Sequence, residues 1–209
     1  MTKEQILQWL RAFATVVEEN KQYLTGLDAA IGDADHGINM DRGFKKVITQ
    51  LPSVADKDIG SILKTVSMTL ISSIGGASGP LYGTLFLRAS ASVAGKQELT
   101  TEDMLEMLQA GLDGVLSRGK AHLGDKTMID ALSPAVEAFR QAVGEGKDMP
   151  EAMEKTVKAG EQGMKDTIPM LAKKGRASYL GERSMGHQDP GATSCYLMLN
   201  SLFLILNKD

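Results

Sequence analysis

Apolar residues in this chain return every three or four positions almost from end to end, and that spacing decides the fold class. Ile6, Leu10, Phe13 and Val17 form one stripe, and Ile59, Ile62, Val66 and Leu70 another. Met104, Leu108, Leu112 and Val115 make a third, Leu132, Val136, Phe139 and Val143 a fourth, and Met153, Val157, Met164 and Ile168 a fifth. Each set falls on one face of a helix of 3.6 residues per turn. No stretch alternates with period two and carries the β-branched and aromatic residues of a strand. Helix starts are legible as well. Thr2 with Gln5 has the capping-box pattern, Asp58, Thr100 and Asp148 suit N-caps, and Asp103 and Pro150 fit a first turn. Pro134 predicts a kink or break. With further helices opening near Gly37, Pro80 and Pro190, the chain reads as all-α, one domain of about eight amphipathic helices.

Composition narrows the function. The chain has 209 residues, 43% hydrophobic but only 5% aromatic, so its core is aliphatic. A formal net charge of −3 speaks against a nucleic-acid partner, which needs a basic face. One cysteine, Cys195, excludes an internal disulfide, and with three scattered histidines it cannot supply the usual tetrahedral zinc site. Met1–Glu4 lead straight into an amphipathic segment, so no signal peptide is read. The apolar run Tyr196–Leu206 is broken by Asn200 and Ser201 and is shorter than the roughly 20 residues of a membrane span. It reads as a buried core helix. These features predict a cytoplasmic location with no membrane partner.

The connections have unusual chemistry. Gly26–Asn39, Gly75–Thr84, Ser117–Thr127 and Lys173–Gly191 are read as loops rich in Gly, Asp, Ser and His, longer than turning the chain requires. If the helices alternate up and down, such loops gather at one end. Asp28, Asp33 and Asp35 crowd three carboxylates into eight residues, which suits a hard cation. The same residues also suit helix caps and Asx turns. His36 and Asn39 read equally as loop and first-turn residues. Gly75–Pro80 would let a backbone approach an anion, with Pro80 fitting the first helical position, or would simply turn the chain. Asp189, Pro190 and Gly191 read as N-cap, N1 and N2 of the last helix. No Walker lysine motif and no protein-kinase motif set occurs.

Four blocks in order change the weight of these signals: GLDAAIGDADHGINMDRGF, SSIGGASGPLYGT, SRGKAHLGDKTMIDAL and KKGRASYLGERSMGHQDPGATS. Together, over residues 26–194, they resemble the nucleotide-binding L-subunit family of phosphotransferase-system-dependent dihydroxyacetone kinases. The resemblance implies a barrel of antiparallel helices with the nucleotide at one end. It places two Mg2+ ions on Asp28, Asp33 and Asp35, against the phosphates of a tightly held ADP. Nucleotide contacts would fall on His36, Gly37, Ile38, Asn39, Ala77, Ser78, Gly119, Met128, Arg176, Asp189, Pro190 and Gly191. Three carboxylates and a diphosphate carry about six negative charges against about four on two Mg2+ ions, so Arg176 is the expected charge stabiliser. Met128 would wall the adenine.

By the same resemblance, no protein nucleophile acts here. A phosphohistidine-bearing M subunit phosphorylates the bound ADP, which serves as a coenzyme, and the phosphoryl group passes to dihydroxyacetone held on a K subunit. A transcriptional regulator is a further partner that the family implies. Three other readings stay open: an ATP-dependent kinase in which such a domain is fused to a K-like domain, a binding role as partner of a transcriptional regulator, and a plain Mg2+-binding helical protein with no nucleotide. A chain that begins and ends with the L-like part favours the multi-subunit system.

Overall fold

In the computed structural model, which describes residues 1–207, local sequence signals set the helix starts. Thr2 Oγ1 accepts from the Gln5 amide while Gln5 answers the Thr2 amide, and Thr100 and Asp103 repeat the reciprocal box. Asp58, Asp148 and Asp189 each cap a helix through a side-chain oxygen. The resulting elements are α1 (Lys3–Glu19), α2 (Lys21–Ile31), α3 (His36–Gln50), α4 (Ile59–Ser73) and α5 (Ser78–Ser92). Then follow α6 (Thr101–Gly119), α7 (Ile129–Gly144), α8 (Met149–Asp166) and α9 (Pro190–Leu206). Short 3-10 segments cover Leu51–Ser53 and Arg176–Ser184, and among the described residues there is no strand.

Each helix packs on the next from α3 to α9, while α1 packs on both α3 and α9, so the ring closes. Neighbours run antiparallel, as the α4–α5 register shows. A methyl on Gly60 would lie 2.7 Å from Ala94 Cα, and one on Gly83 would lie 2.2 Å from Ile71 Cγ1. Residue numbers therefore fall on one helix as they rise on the other, and both contacts need a glycine. Buried aromatics fill the centre. Phe13 and Phe44 meet edge to face with centroids 4.6 Å apart, Phe86 follows, and Trp9 Nε1 donates to Met198 O at 3.1 Å where α1 and α9 close the ring.

The structure changes several expected boundaries. Gly26–Ile31 is helical, because Leu24, Asp28 and Ile31 keep the inward spacing through a Gly- and Asp-rich stretch. The first loop therefore shrinks to residues 32–35. Among the described residues the count becomes nine α-helices, the added one being α2, which Asn20 divides from α1 with its side-chain amide donating to Val16 O at 2.8 Å. Pro80 is the third residue of α5 rather than the first. Ile168 lies beyond the end of α8 and is 38% exposed. No break occurs at Pro134, since α7 runs continuously through it. Proline removes the donor that Asp130 O would otherwise receive, and that carbonyl faces Gly163, where an added Cβ would lie 2.0 Å away. The run Tyr196–Leu206 belongs to α9, whose buried face joins the core, and among the described residues no helix is long and apolar enough to cross a membrane.

Candidate functional site

Asp28 sits on the inner face of α2, 8% exposed, and its Oδ2 accepts from the Asp35 and His36 amides at 2.8 and 3.1 Å. A side chain of α2 thus satisfies the free amides that open α3. Between them the chain turns through Ala34, whose φ of 61° is a left-handed conformation that usually costs an alanine about 1–2 kcal/mol. The turn swings Asp33 and Asp35 back toward Asp28, and carboxylate oxygens of all three lie within 4.8 Å of one another. Gly32 is forced by this arrangement, because a methyl there would lie 2.0 Å from Asp28 Oδ1. Arg176, from the 3-10 segment before α9, answers part of the charge with its Nε 2.7 Å from Asp33 Oδ2.

Beside the carboxylates, His36 joins three helices. Its Nδ1 lies 2.9 Å from Ser78 Oγ on α5 and its Nε2 2.9 Å from Ser194 Oγ on α9. Ser194 also meets Tyr82 OH at 2.7 Å and donates to Gly191 O at 3.1 Å. A serine has one proton, so Ser194 must accept from both Tyr82 and His36. That places the imidazole proton on Nε2 and leaves Nδ1 to accept from Ser78. Burial lowers the His36 pKa against the pull of Asp28 and Asp35, so the ring is neutral. Since the Ser78 hydroxyl proton is engaged, an anion at the start of α5 would meet backbone amides there.

Asp28, Asp33, Asp35, His36, Ser78 and Arg176 line one cavity of about 900 Å3, closed on its other sides by the α4–α5 loop, the end of α6, Met128 and the start of α9. Lys126 belongs to the cavity wall yet is 1% exposed, with Nζ donating to the carbonyls of Thr167, Ile168, Met170 and His187. Burial lowers its pKa, and Asp189 opposes that.

The DAK2 domain matches residues 30–203. The PEP-dependent dihydroxyacetone kinase ADP-binding subunit DhaL of Escherichia coli K12 is 53% identical over 204 residues, 98% of this chain and 97% of that one. The chain belongs to the DhaL family. The PTS-dependent dihydroxyacetone kinase ADP-binding subunit DhaL of Lactococcus lactis is 41% identical, covering 99% of both chains. The dihydroxyacetone kinase of C. freundii, solved in complex with AMP-PNP and Mg2+, shares the fold at a TM-score of 0.74 and 22% identity. The match covers 94% of this chain and 33% of that one.

In this DhaL-family chain Asp28, Asp33, Asp35, His36, Ala77, Ser78, Gly119, Met128, Arg176, Asp189, Pro190 and Gly191 all line the cavity. Gly37, Ile38 and Asn39 do not. Gly37 packs on α2, where a methyl would lie 2.1 Å from Lys21 O, and Ile38 is 45% exposed. Asn39 is buried with its Oδ1 accepting from Arg42 Nη2 at 2.7 Å. Sequence reasoning missed Lys126, Tyr82 and Ser194, since nothing local separates them from a surface lysine and two ordinary helical residues.

Asp189 carries a testable pH signature. Burial raises its pKa to about 7, Asp130 pushes the same way, and the Ala192 amide and Lys126 oppose. The unfolded chain ionises this carboxyl near 3.8. Between the two values the folded state holds the proton more tightly, so this group's contribution to stability falls as pH rises through the window. Asp189→Asn keeps an N-cap and should flatten that slope in urea melts between pH 4 and about 7. An unchanged slope would mean Asp189 is ionised throughout.

Proposed function

We propose that this chain is the ADP-binding subunit of a phosphoenolpyruvate-dependent dihydroxyacetone kinase, holding ADP with Mg2+ in the cavity between the four loops. The observation that carries the reading is three carboxylates within 4.8 Å of one another on the wall of a 900 Å3 cavity that the start of α5 also lines. Hard oxygens at that separation suit Mg2+, and the volume falls within the range of small-molecule sites. The names of the E. coli and L. lactis relatives, alike over nearly their full length, support ADP as the nucleotide.

Asp28, Asp33 and Asp35 would hold two Mg2+ ions. When bound, the metal supplies charge neutralisation and the nucleotide supplies the terminal oxygen that accepts and releases the phosphoryl group. The chain's residues bind and orient. Asp28 fixes the start of α3 and keeps His36 in place. Ala77 and Ser78 offer the α5 amides to phosphate, Met128 walls the base, and Pro190 and Gly191 close the floor. Arg176, paired with Asp33 here, would be free to answer the phosphates with Asp33 engaged by a divalent cation. A phosphohistidine-bearing M subunit and a dihydroxyacetone-bearing K subunit are the proposed partners, in the cytoplasm, and a transcriptional regulator is a further one.

Native mass spectrometry of the purified chain tests this. ADP and Mg2+ are expected to stay bound and to leave in EDTA. Because one ligand ties four loops together, a thousandfold excess over the dissociation constant should stabilise the fold by about 4 kcal/mol. Free exchange with ATP would favour a self-contained ATP-dependent kinase. A chain that retains no nucleotide and melts at the same temperature with and without Mg-ADP would sink the proposal.

A further inference from the structure

Along the outside of α4, α5 and α6 runs a groove of about 790 Å3 that meets the nucleotide cavity at Arg118, which lines both. Lys64 on α4, Arg88 on α5, Arg118 on α6 and Lys120 just beyond it bring four cations to this one surface. Among the described residues none of the four has a carboxylate within 4.0 Å. Lysines along α8 are answered instead, Lys155 by Glu145, Lys158 by Glu154 and Lys165 by Glu161. Among the described residues the one acid lining the groove, Asp58, is engaged in capping α4 and in accepting from the Gly95 amide at 2.9 Å. An uncompensated basic strip of this kind stands out in a chain of net charge −3.

The strip has an apolar border. Met68 and Ile71 follow Lys64 at helical spacing on α4 and are 56% and 44% exposed, and Leu87 beside Arg88 is 37% exposed. A small anion would use the cations and leave these side chains in water. A protein segment with acidic and apolar residues uses both.

We propose that this groove docks an acidic, apolar-tipped segment of the partner protein that delivers the phosphoryl group. The inference rests on the reading above that a partner protein loads the nucleotide. Charge selects the donor over the sugar-bearing partner: a phosphorylated imidazole is itself an anion, so a positive strip ending at the cavity rim draws it toward the phosphates. A neutral sugar gains nothing from that field. Cations this exposed act within a Debye length of about 8 Å at physiological salt, so they guide the final approach and weaken in high salt.

The test uses the full chain carrying Lys64→Glu and Arg88→Glu together, with the phosphorylated M subunit and the K subunit of the E. coli kinase as probes. The KM for phosphorylated M should rise about tenfold or more and its salt dependence should flatten. The kcat at saturating M, the KM for K and the retention of Mg-ADP should match wild type. Lys64→Gln with Arg88→Gln should shift KM the same way by less, which guards against a folding artefact of the reversal. An unchanged KM for M overturns the proposal, and so does a rise confined to K. A concentration-dependent dimer of the chain alone that the variant abolishes would assign the groove to a second copy and overturn it too. Should wild type neither retain ADP nor turn over, the functional reading fails instead. Calorimetric titration of M against wild type and variant would then still decide the groove, with equal affinities overturning it.

Discussion

Asp33→Asn should release ADP while leaving the barrel intact. In the structure the Asp33 carboxylate is paired with Arg176, and the two side chains are 36% and 69% exposed. Screened by solvent, such a pair is worth at most about 1 kcal/mol, so its loss hardly touches the fold. The effect on the site is far larger. Turning one of three carboxylates into a neutral amide, in a cluster whose oxygens lie within 4.8 Å of one another, should weaken Mg2+-dependent ADP binding by about a hundredfold or more. Asp28→Ala should behave differently. It orphans the Asp35 and His36 amides that Asp28 Oδ2 receives, and should destabilise the chain by about 2–3 kcal/mol as well as losing ligand. Equilibrium dialysis with labelled ADP, with melts in EDTA alongside, separates the two. An Asp33→Asn chain that holds ADP as wild type does in Mg2+ would remove Asp33 from the metal site.

Lys126→Met should be the most destabilising single change in the cavity wall. Its ammonium gathers the carbonyls of Thr167 at 2.6 Å, Met170 at 3.2 Å and Ile168 at 3.4 Å, together with that of His187. Those carbonyls belong to the end of α8 and to the connection that delivers Asp189 to the start of α9. Met fills the volume but donates nothing, so the carbonyls are left buried without that donor. The cost should be about 3 kcal/mol, or roughly 10 °C in melting temperature for a chain of this size. Nucleotide affinity should drop with it, because Asp189, Pro190 and Gly191 line the cavity. A melting temperature within about 1 °C of wild type would show that the ammonium holds nothing together.

How much of this was legible beforehand depended on the range of the interaction. The capping box at Thr2 and Gln5, the caps at Asp58 and Asp148, and the start of α9 at Asp189 and Pro190 each involve groups three or four residues apart, so sequence alone displays them. The carboxylates of Asp28, Asp33 and Asp35 were visible as a cluster for the same reason. Boundaries failed where composition and geometry disagreed. Residues 26–31 look like a loop yet are helical, because inward-facing Leu24, Asp28 and Ile31 outweigh the glycine among them.

Sequence by itself determined the helical class, the helix starts that carry a side-chain cap and the buried last helix, because periodicity and capping are local and survive without a partner. Tertiary structure decided what each polar group does. The Ser194 hydroxyl that fixes the His36 proton lies 158 residues away, and the His187 carbonyl on Lys126 lies 61 away. Arg176 reaches Asp33 only because the segment before α9 folds back over the α2–α3 turn. The basic groove likewise exists only because three antiparallel helices bring Lys64, Arg88 and Arg118 to one face. A lysine in sequence carries the same charge whether it is buried under carbonyls or lies along a groove. Only the packing of helices distant in the chain sets the burial and the partners that separate Lys126 from Lys64.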